Sequence, residues 1–192
     1  LIIVTINGIP LSFETESGLF SPDGIDRGTL AMLSTVSLTA TDKLLDLGCG
    51  YGVVGIYAAK VIGGPNVVMS DVDETSVRYA QTNAAANQVT EVKIVVSDGF
   101  DSLTDTGFTY ILSNPPYHTD FSVAKRFIEK GFNRLALGGK MVMVTKRKDW
   151  YQHKLTAIFG GVSVKEVDGY YVFHAEKRRG SYANLKGRDA RK

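Results

Sequence analysis

Very little in this chain can hold a fold together by covalent or metal bonds. There is one cysteine, Cys49, so an internal disulfide is excluded and a reducing, cytoplasmic setting is expected. The three histidines are scattered, and with a single cysteine they form no ligand pattern, so no metal is expected. Long apolar runs are missing as well. None approaches the ~20 residues of a membrane-spanning helix, and no signal-peptide pattern opens the chain, so no membrane association is expected. The first residue is Leu1 rather than Met, so a short leader or an upstream domain outside this sequence stays open.

What is present is an ordinary globular composition. With 44% hydrophobic and 22% charged residues, 192 residues suffice for one domain with a full α/β core. The charge is uneven. Residues 177–192 hold seven Lys or Arg and one acid, Asp189, a net +6 in a chain of net +2, so the body carries −4. A basic tail on a mildly acidic body fits a polyanionic partner, and fits equally a solvated terminus that aids solubility. We therefore divide the chain into a domain over 1–176, opened by a hairpin and entry helix over 1–38, and a basic tail over 177–192.

Along the chain, residues 2–6 and 9–15 flank Asn7-Gly8, a type I′ hairpin signal. A turn-rich stretch and an amphipathic helix over about 28–38 follow. Strands are then expected at 43–47, 66–71, 92–98, 110–114 and 140–146, alternating with helices at 53–62, 74–87, 121–135 and 149–159. Asp73 is placed to cap the second of these helices, Gly138-Gly139 to close the third, and Gly160-Gly161 to end the last. The ending differs. VSVKEV and YYVFHAEK are joined only by Asp168-Gly169, too short for a crossover, so they form an antiparallel hairpin. Five parallel strands finished by a hairpin is not the symmetric dinucleotide-binding plan.

The stretch DLGCGYGVVG, residues 46–55, lies between the first parallel strand and its helix, where an open α/β sheet binds its ligand. Its GYGVVG also satisfies the weak GxGxxG pattern of nucleotide sites. Asp46 argues against a pyrophosphate: a carboxylate at ~6 Å from that charge costs about 3 kcal/mol at an effective dielectric near 20. The same carboxylate suits a ligand with ammonium and sulfonium groups, such as S-adenosylmethionine (SAM). Asp71, ending the second strand, is placed to accept from ribose hydroxyls. Asp98-Gly99-Phe100, ending the third, offers an acceptor for an adenine amine and a ring to pack on it. Helix capping and an ordinary turn are the plainer roles of these acids. Three acids at successive strand ends favour the cofactor.

The fourth strand runs into SNPPYH, residues 113–118. Two prolines fix the backbone after Asn114 and remove its hydrogen-bond donors. An amide or exocyclic amine is a poor nucleophile because its lone pair is delocalised. The Asn114 side-chain oxygen and the Pro115 carbonyl are suited to accept its N–H groups. Pro115 and Pro116 hold that geometry stiffly, and Tyr117 offers a face for a planar substrate.

The segments DLGCGYG, MSDVD, VVSDGF and SNPPYH, in this order, resemble the class I SAM-dependent methyltransferases. The upstream GLFSPDGIDRGTLAMLSTV and the ending FGGVSVKEVDGYYVFHAEKR are similar to the methyltransferase small-domain family, which includes the catalytic domains of bacterial ribosomal RNA guanine-N2 methyltransferases. The resemblance covers roughly residues 10–178. It implies a Rossmann-like α/β sheet of order 3-2-1-4-5-7-6 with the last strand antiparallel, flanked by helices. It implies a cofactor site made by Asp46, Gly48, Cys49, Gly50, Tyr51, Gly52, Asp71, Val72, Asp98, Gly99, Phe100 and Asn114, and catalysis by Asn114, Pro115, Pro116 and Tyr117. The implied activity is N-methylation of the guanine N2 amine in ribosomal RNA, free or in a ribosomal subunit. Tyr117 stands where guanine-N2 enzymes often have Phe. Adenine-N6 and protein glutamine-N5 methylation therefore stay open, as does a non-catalytic RNA-binding module on this fold. A nicotinamide-dependent oxidoreductase is disfavoured by Asp46 and the terminal hairpin. His118 is either a substrate contact or a surface residue. Phe20 and Ser21 either cover the cofactor or pack the core, and Lys146, Arg147 and Lys148 either meet phosphates or form a solvated cluster.

Overall fold

Short apolar runs alternating with amphipathic stretches become a seven-stranded sheet with helices on both faces. The computed structural model describes residues 1–116 and 120–182. The elements are β1 (Ile2–Ile6), β2 (Ile9–Phe13), α1 (Arg27–Ser34), β3 (Leu44–Leu47), α2 (Val53–Ile62), β4 (Val67–Asp71), α3 (Glu74–Ala86), β5 (Lys93–Val96), β6 (Phe108–Ser113), α4 (Ser122–Arg134), β7 (Leu135–Thr145), α5 (Lys148–Phe159), β8 (Ser163–Val167) and β9 (Tyr170–Glu176). The sheet order is β5-β4-β3-β6-β7-β9-β8, with β9 antiparallel to both neighbours and the rest parallel. This is the expected 3-2-1-4-5-7-6 sheet. Its central strands are apolar on both faces because helices cover both. Met32, Ile56, Met69 and Val142 fill one side, and Phe132, Met143, Leu155 and Phe173 the other.

Both predicted tight hairpins form. Asn7 and Gly8, like Asp168 and Gly169, have the paired positive φ angles that a two-residue turn of this hand requires. The β1–β2 hairpin is a separate two-stranded sheet held on α3 by two buried asparagines. Asn87 exchanges two hydrogen bonds with the Ser12 backbone (3.1 and 2.7 Å). Asn83 does the same with Glu14 (2.7 and 3.0 Å), and its amide also donates to the Tyr51 carbonyl at 2.8 Å.

Three expectations are corrected. Gly138-Gly139 does not close a helix: α4 stops at Arg134, and Leu135 already pairs with Phe108. The glycines sit in an irregular stretch of β7, where Gly138 has φ 83° and a Cβ on Gly139 would lie 2.6 Å from the Phe108 carbonyl oxygen. The entry helix ends at Ser34, because Ser34 and Thr35 turn their hydroxyls onto the Ala31 and Met32 carbonyls (2.7 Å each). The body also continues past residue 176. Lys177 is buried, bonds Gly139 and Leu135 carbonyls, and lies over the Phe132 ring, which Tyr182 meets edge-on. Residues 183–192 of the basic tail lie outside the described residues.

Candidate functional site

The C-terminal ends of β3, β4, β5 and β6 open into one cavity of about 330 Å³, within the range of small-molecule sites. Its floor is the loop after β3. Gly48, Gly50 and Gly52 all take positive φ (75°, 54° and 108°), which side-chain-bearing residues resist, and so the loop can turn back on β4. Gly48 and Cys49 N–H groups donate to the Ser70 carbonyl (2.9 and 2.8 Å), and Gly50 N–H donates to Asp71 Oδ2 at 2.8 Å. The loop thus hangs on the end of the neighbouring strand.

Asp46 is buried and accepts from Gly55 N–H at 2.8 Å. Burial pushes its carboxyl up to about 7; the Gly55 bond pulls the other way and the nearby Asp71 charge adds to the rise. Asp71 accepts from Gly50 with one oxygen and from Asp73 N–H (3.0 Å) with the other, and both acids line the cavity. Asp73 caps α3 as expected. Burial raises the Cys49 thiol well above its usual value, so it stays neutral and contributes its backbone. Tyr51 lines the cavity while its hydroxyl donates to the Ser21 carbonyl (2.9 Å), tying the entry segment to the loop. Phe20 and Ser21 also lie on the cavity wall, as does the exposed Val72.

At the end of β5, Asp98 and Gly99 line the cavity, and Asp98 pairs with Arg126 at 3.3 Å. Phe100 does not. It is 3% exposed and packs in the core on the far side of the turn, under the Arg134 guanidinium. The aromatic wall comes instead from Phe127 of α4, with Val123 beside it. Helical spacing places Phe127 on the core face, and nothing in its spacing singles it out for the site.

Asn114, Pro115 and Pro116 form another part of the wall. Tyr117 and His118 lie outside the described residues. The Asn114 Nδ2 donates to Asp26 Oδ2 (2.8 Å) and Thr29 Oγ1 (3.2 Å). Asp26 and Thr29 also line the cavity, and their only mark in the sequence is a place in the entry segment. Beside this wall, Lys146, Arg147 and Lys148 leave the end of β7. Each cation lies over an aromatic ring: Tyr170 (4.9 Å), Phe121 (5.1 Å) and Tyr171 (5.7 Å).

The donor set fits the cofactor read from the sequence. Carboxylates stand at two strand ends, apolar faces are supplied by Val72 and Phe127, and a buried carboxylate sits below. Ser70 Oγ, on the cavity wall, is the single buried side-chain polar atom without a hydrogen-bond partner among the described residues. Among these residues no cluster fit for a metal ion occurs, and no helix is long and apolar enough to cross a membrane.

Comparison with known proteins bears on the same region. The model of the methyltransferase small domain matches residues 10–174. Ribosomal RNA small subunit methyltransferase C of Serratia proteamaculans is 32% identical over 165 residues, 84% of this chain and 47% of that protein. The Bacillus subtilis protein YbxB is 32% identical over 172 residues, 86% of each chain. Among solved structures, the T. thermophilus 16S rRNA N2 G1207 methyltransferase (RsmC) in complex with AdoMet and guanosine superposes with a TM-score of 0.83 at 28% identity. That match covers 92% of this chain and 50% of that one. The chain spans about half the length of these methyltransferase C relatives and most of YbxB.

Proposed function

Because the chain belongs to the methyltransferase small-domain family, whose methyl donor is S-adenosylmethionine, we propose that it methylates the exocyclic N2 amine of a guanine in ribosomal RNA. The observation that carries this reading is the Asn114 amide. Its nitrogen is committed to Asp26 and Thr29, and its oxygen accepts no hydrogen bond from a described residue. An amide held this way offers an acceptor to an incoming N–H, and draws the nitrogen lone pair toward the cavity. When bound, the cofactor supplies an electrophilic methyl on sulfonium. Held by Asp71 and Asp98 and the apolar faces of Val72 and Phe127, it would supply the methyl to the amine that Asn114 orients, and the surplus proton of that amine would pass to water.

The guanine acceptor is supported by the T. thermophilus relative, which holds guanosine. A polyanionic substrate is supported by the three cations beside Asn114–Pro116, and the target base would be splayed out of its stack to enter. The test is transfer of labelled methyl from SAM to transcribed small-subunit ribosomal RNA, with nucleoside analysis. Label in N2-methylguanosine is the expected result. Label only in adenosine would reassign the acceptor, and no label in RNA would turn the test to a protein glutamine substrate.

Cofactor binding should depend on pH through Asp46. Its folded value near 7 lies above the 3.8 of an unperturbed aspartate, so the folded protein holds a proton that the unfolded chain gives up. Stability of the free protein therefore falls as pH rises from about 4 to about 7. A cationic ligand beside the carboxylate favours its ionised form. SAM affinity should then rise with pH, by up to about tenfold per unit, and level off above pH ~7, with proton release on binding. Calorimetry in buffers of different ionisation enthalpy measures this, and Asp46→Asn should abolish it. A pH-independent affinity would place the cation away from Asp46.

Deleting residues 183–192 removes Lys186, Arg188, Arg191 and Lys192 and spares the packed Lys177 and Tyr182. If three of these cations engage single-stranded RNA, the slope of log K against log salt should flatten by about two units. Affinity should weaken for many RNA sequences alike, since phosphate contacts carry no base information. An unchanged slope would make the segment a solvated terminus.

A further inference from the structure

We propose that Asp26 is a positioning residue for the acceptor amine, acting through the orientation of the Asn114 amide; this rests on the methyltransferase reading above. A side-chain amide can turn over and exchange its acceptor for a donor. With NH2 facing the cavity, Asn114 would meet an incoming N–H with another N–H, and no assistance would follow. An ionised carboxylate can only accept. Turning the amide over would set its oxygen against Asp26 Oδ2, now 2.8 Å from the nitrogen. The carboxylate thus selects the one orientation that leaves the oxygen for substrate.

Asp26 is itself held in place. The same Oδ2 caps α1 through Thr29 N–H at 2.9 Å. Arg27, the next residue, forms a two-pronged pair with Asp168 in the β8–β9 turn (3.0 and 2.6 Å). Gly28 permits the close fit: a Cβ there would lie 2.9 Å from Asp26 Oδ2 and 2.9 Å from the Tyr170 ring. The first turn of α1 is therefore wedged between the terminal hairpin and the end of β6. Helix capping alone would not require a carboxylate, since a serine caps as well.

That difference gives the test. Asp26→Ser keeps a cap but is too short to reach Asn114, whereas Asp26→Asn keeps an acceptor at the Oδ2 position. The Asn114 side-chain NH2 signals, assigned by their loss in Asn114→Ala, should be shifted and slowly exchanging in the wild-type protein and in Asp26→Asn. In Asp26→Ser they should collapse toward the free-amide position. With labelled SAM and transcribed small-subunit ribosomal RNA, kcat of Asp26→Ser should fall about ten- to a hundredfold, the span expected for one hydrogen bond to a charged group. KM should hold, and Asp26→Asn should recover most of the loss. In an Asn114→Ala background, Asp26→Ser should cost nothing further. An unchanged amide signal in Asp26→Ser, a released amide with full kcat, or a rise in KM alone would overturn the proposal. The last outcome would put Asp26 on the substrate. If the wild-type protein transfers no methyl to RNA, the functional reading fails, while the amide signals still decide whether the clamp exists.

Discussion

Asn114→Ala lowers kcat by roughly a hundredfold or more, by analogy with the loss of one oxyanion-hole donor. In the proposed role the interaction it removes strengthens as charge develops on nitrogen, so the loss should fall on turnover rather than on ground-state binding. SAM affinity should change by much less, although Asn114 lies on the wall of the same cavity. The fold should tolerate the change: the side chain is only part-buried, and its partners Asp26 and Thr29 keep each other. Single-turnover transfer with the mutant measures the effect. Near-normal turnover would leave Asn-Pro-Pro as a rigid loop and remove the role assigned to Asn114.

Asp71→Ala should weaken SAM by about ten- to a hundredfold, the range for a hydrogen bond to a charged acceptor. Two losses combine. The proposed ribose acceptor disappears, and the Gly50 N–H loses the carboxylate that suspends the glycine loop from β4. Asp71→Asn is not a mild control. Its two oxygens accept from two backbone N–H groups, Gly50 and Asp73, and an amide can serve only one while its NH2 confronts the other. Its affinity should fall between those of wild type and alanine. Calorimetry with SAM and with its demethylated product reads both. An affinity unchanged in Asp71→Ala would take this acid out of the cofactor site.

Features set by local chemistry were legible in the sequence. Asn7-Gly8 and Asp168-Gly169 each specify their turn through positive φ, and an αL glycine at 160 ends α5 without help from elsewhere. The strand and hairpin signals gave the parallel strands and the antiparallel ending, and the sheet order came only with the family resemblance. The misreadings share another cause. Gly138-Gly139 looks like a helix stop over a short window, but its role is decided by the Phe108 carbonyl and by Lys177, thirty and thirty-nine residues away. Phe100 follows Asp98-Gly99 in sequence and turns into the core, while Phe127 arrives from another element. Asp26 looked like turn composition. Only the folded chain places it 2.8 Å from Asn114, across 88 positions of sequence.

Asn83 has a consequence of another kind. Its one amide group joins the Glu14 backbone, the Tyr51 carbonyl in the glycine loop, and the helix that carries it. Opening the N-terminal hairpin therefore leaves this buried amide without its two Glu14 partners and weakens the anchor that also holds the Tyr51 carbonyl of the glycine loop. The shared amide is expected to couple the local opening of the two segments. Ligand binding that stabilises the loop also raises the free energy for opening the hairpin, by mass action on the closed form. Slowed amide exchange in residues 9–15 on adding SAM is the expected sign of that coupling, and unchanged exchange there would show the two segments to open independently.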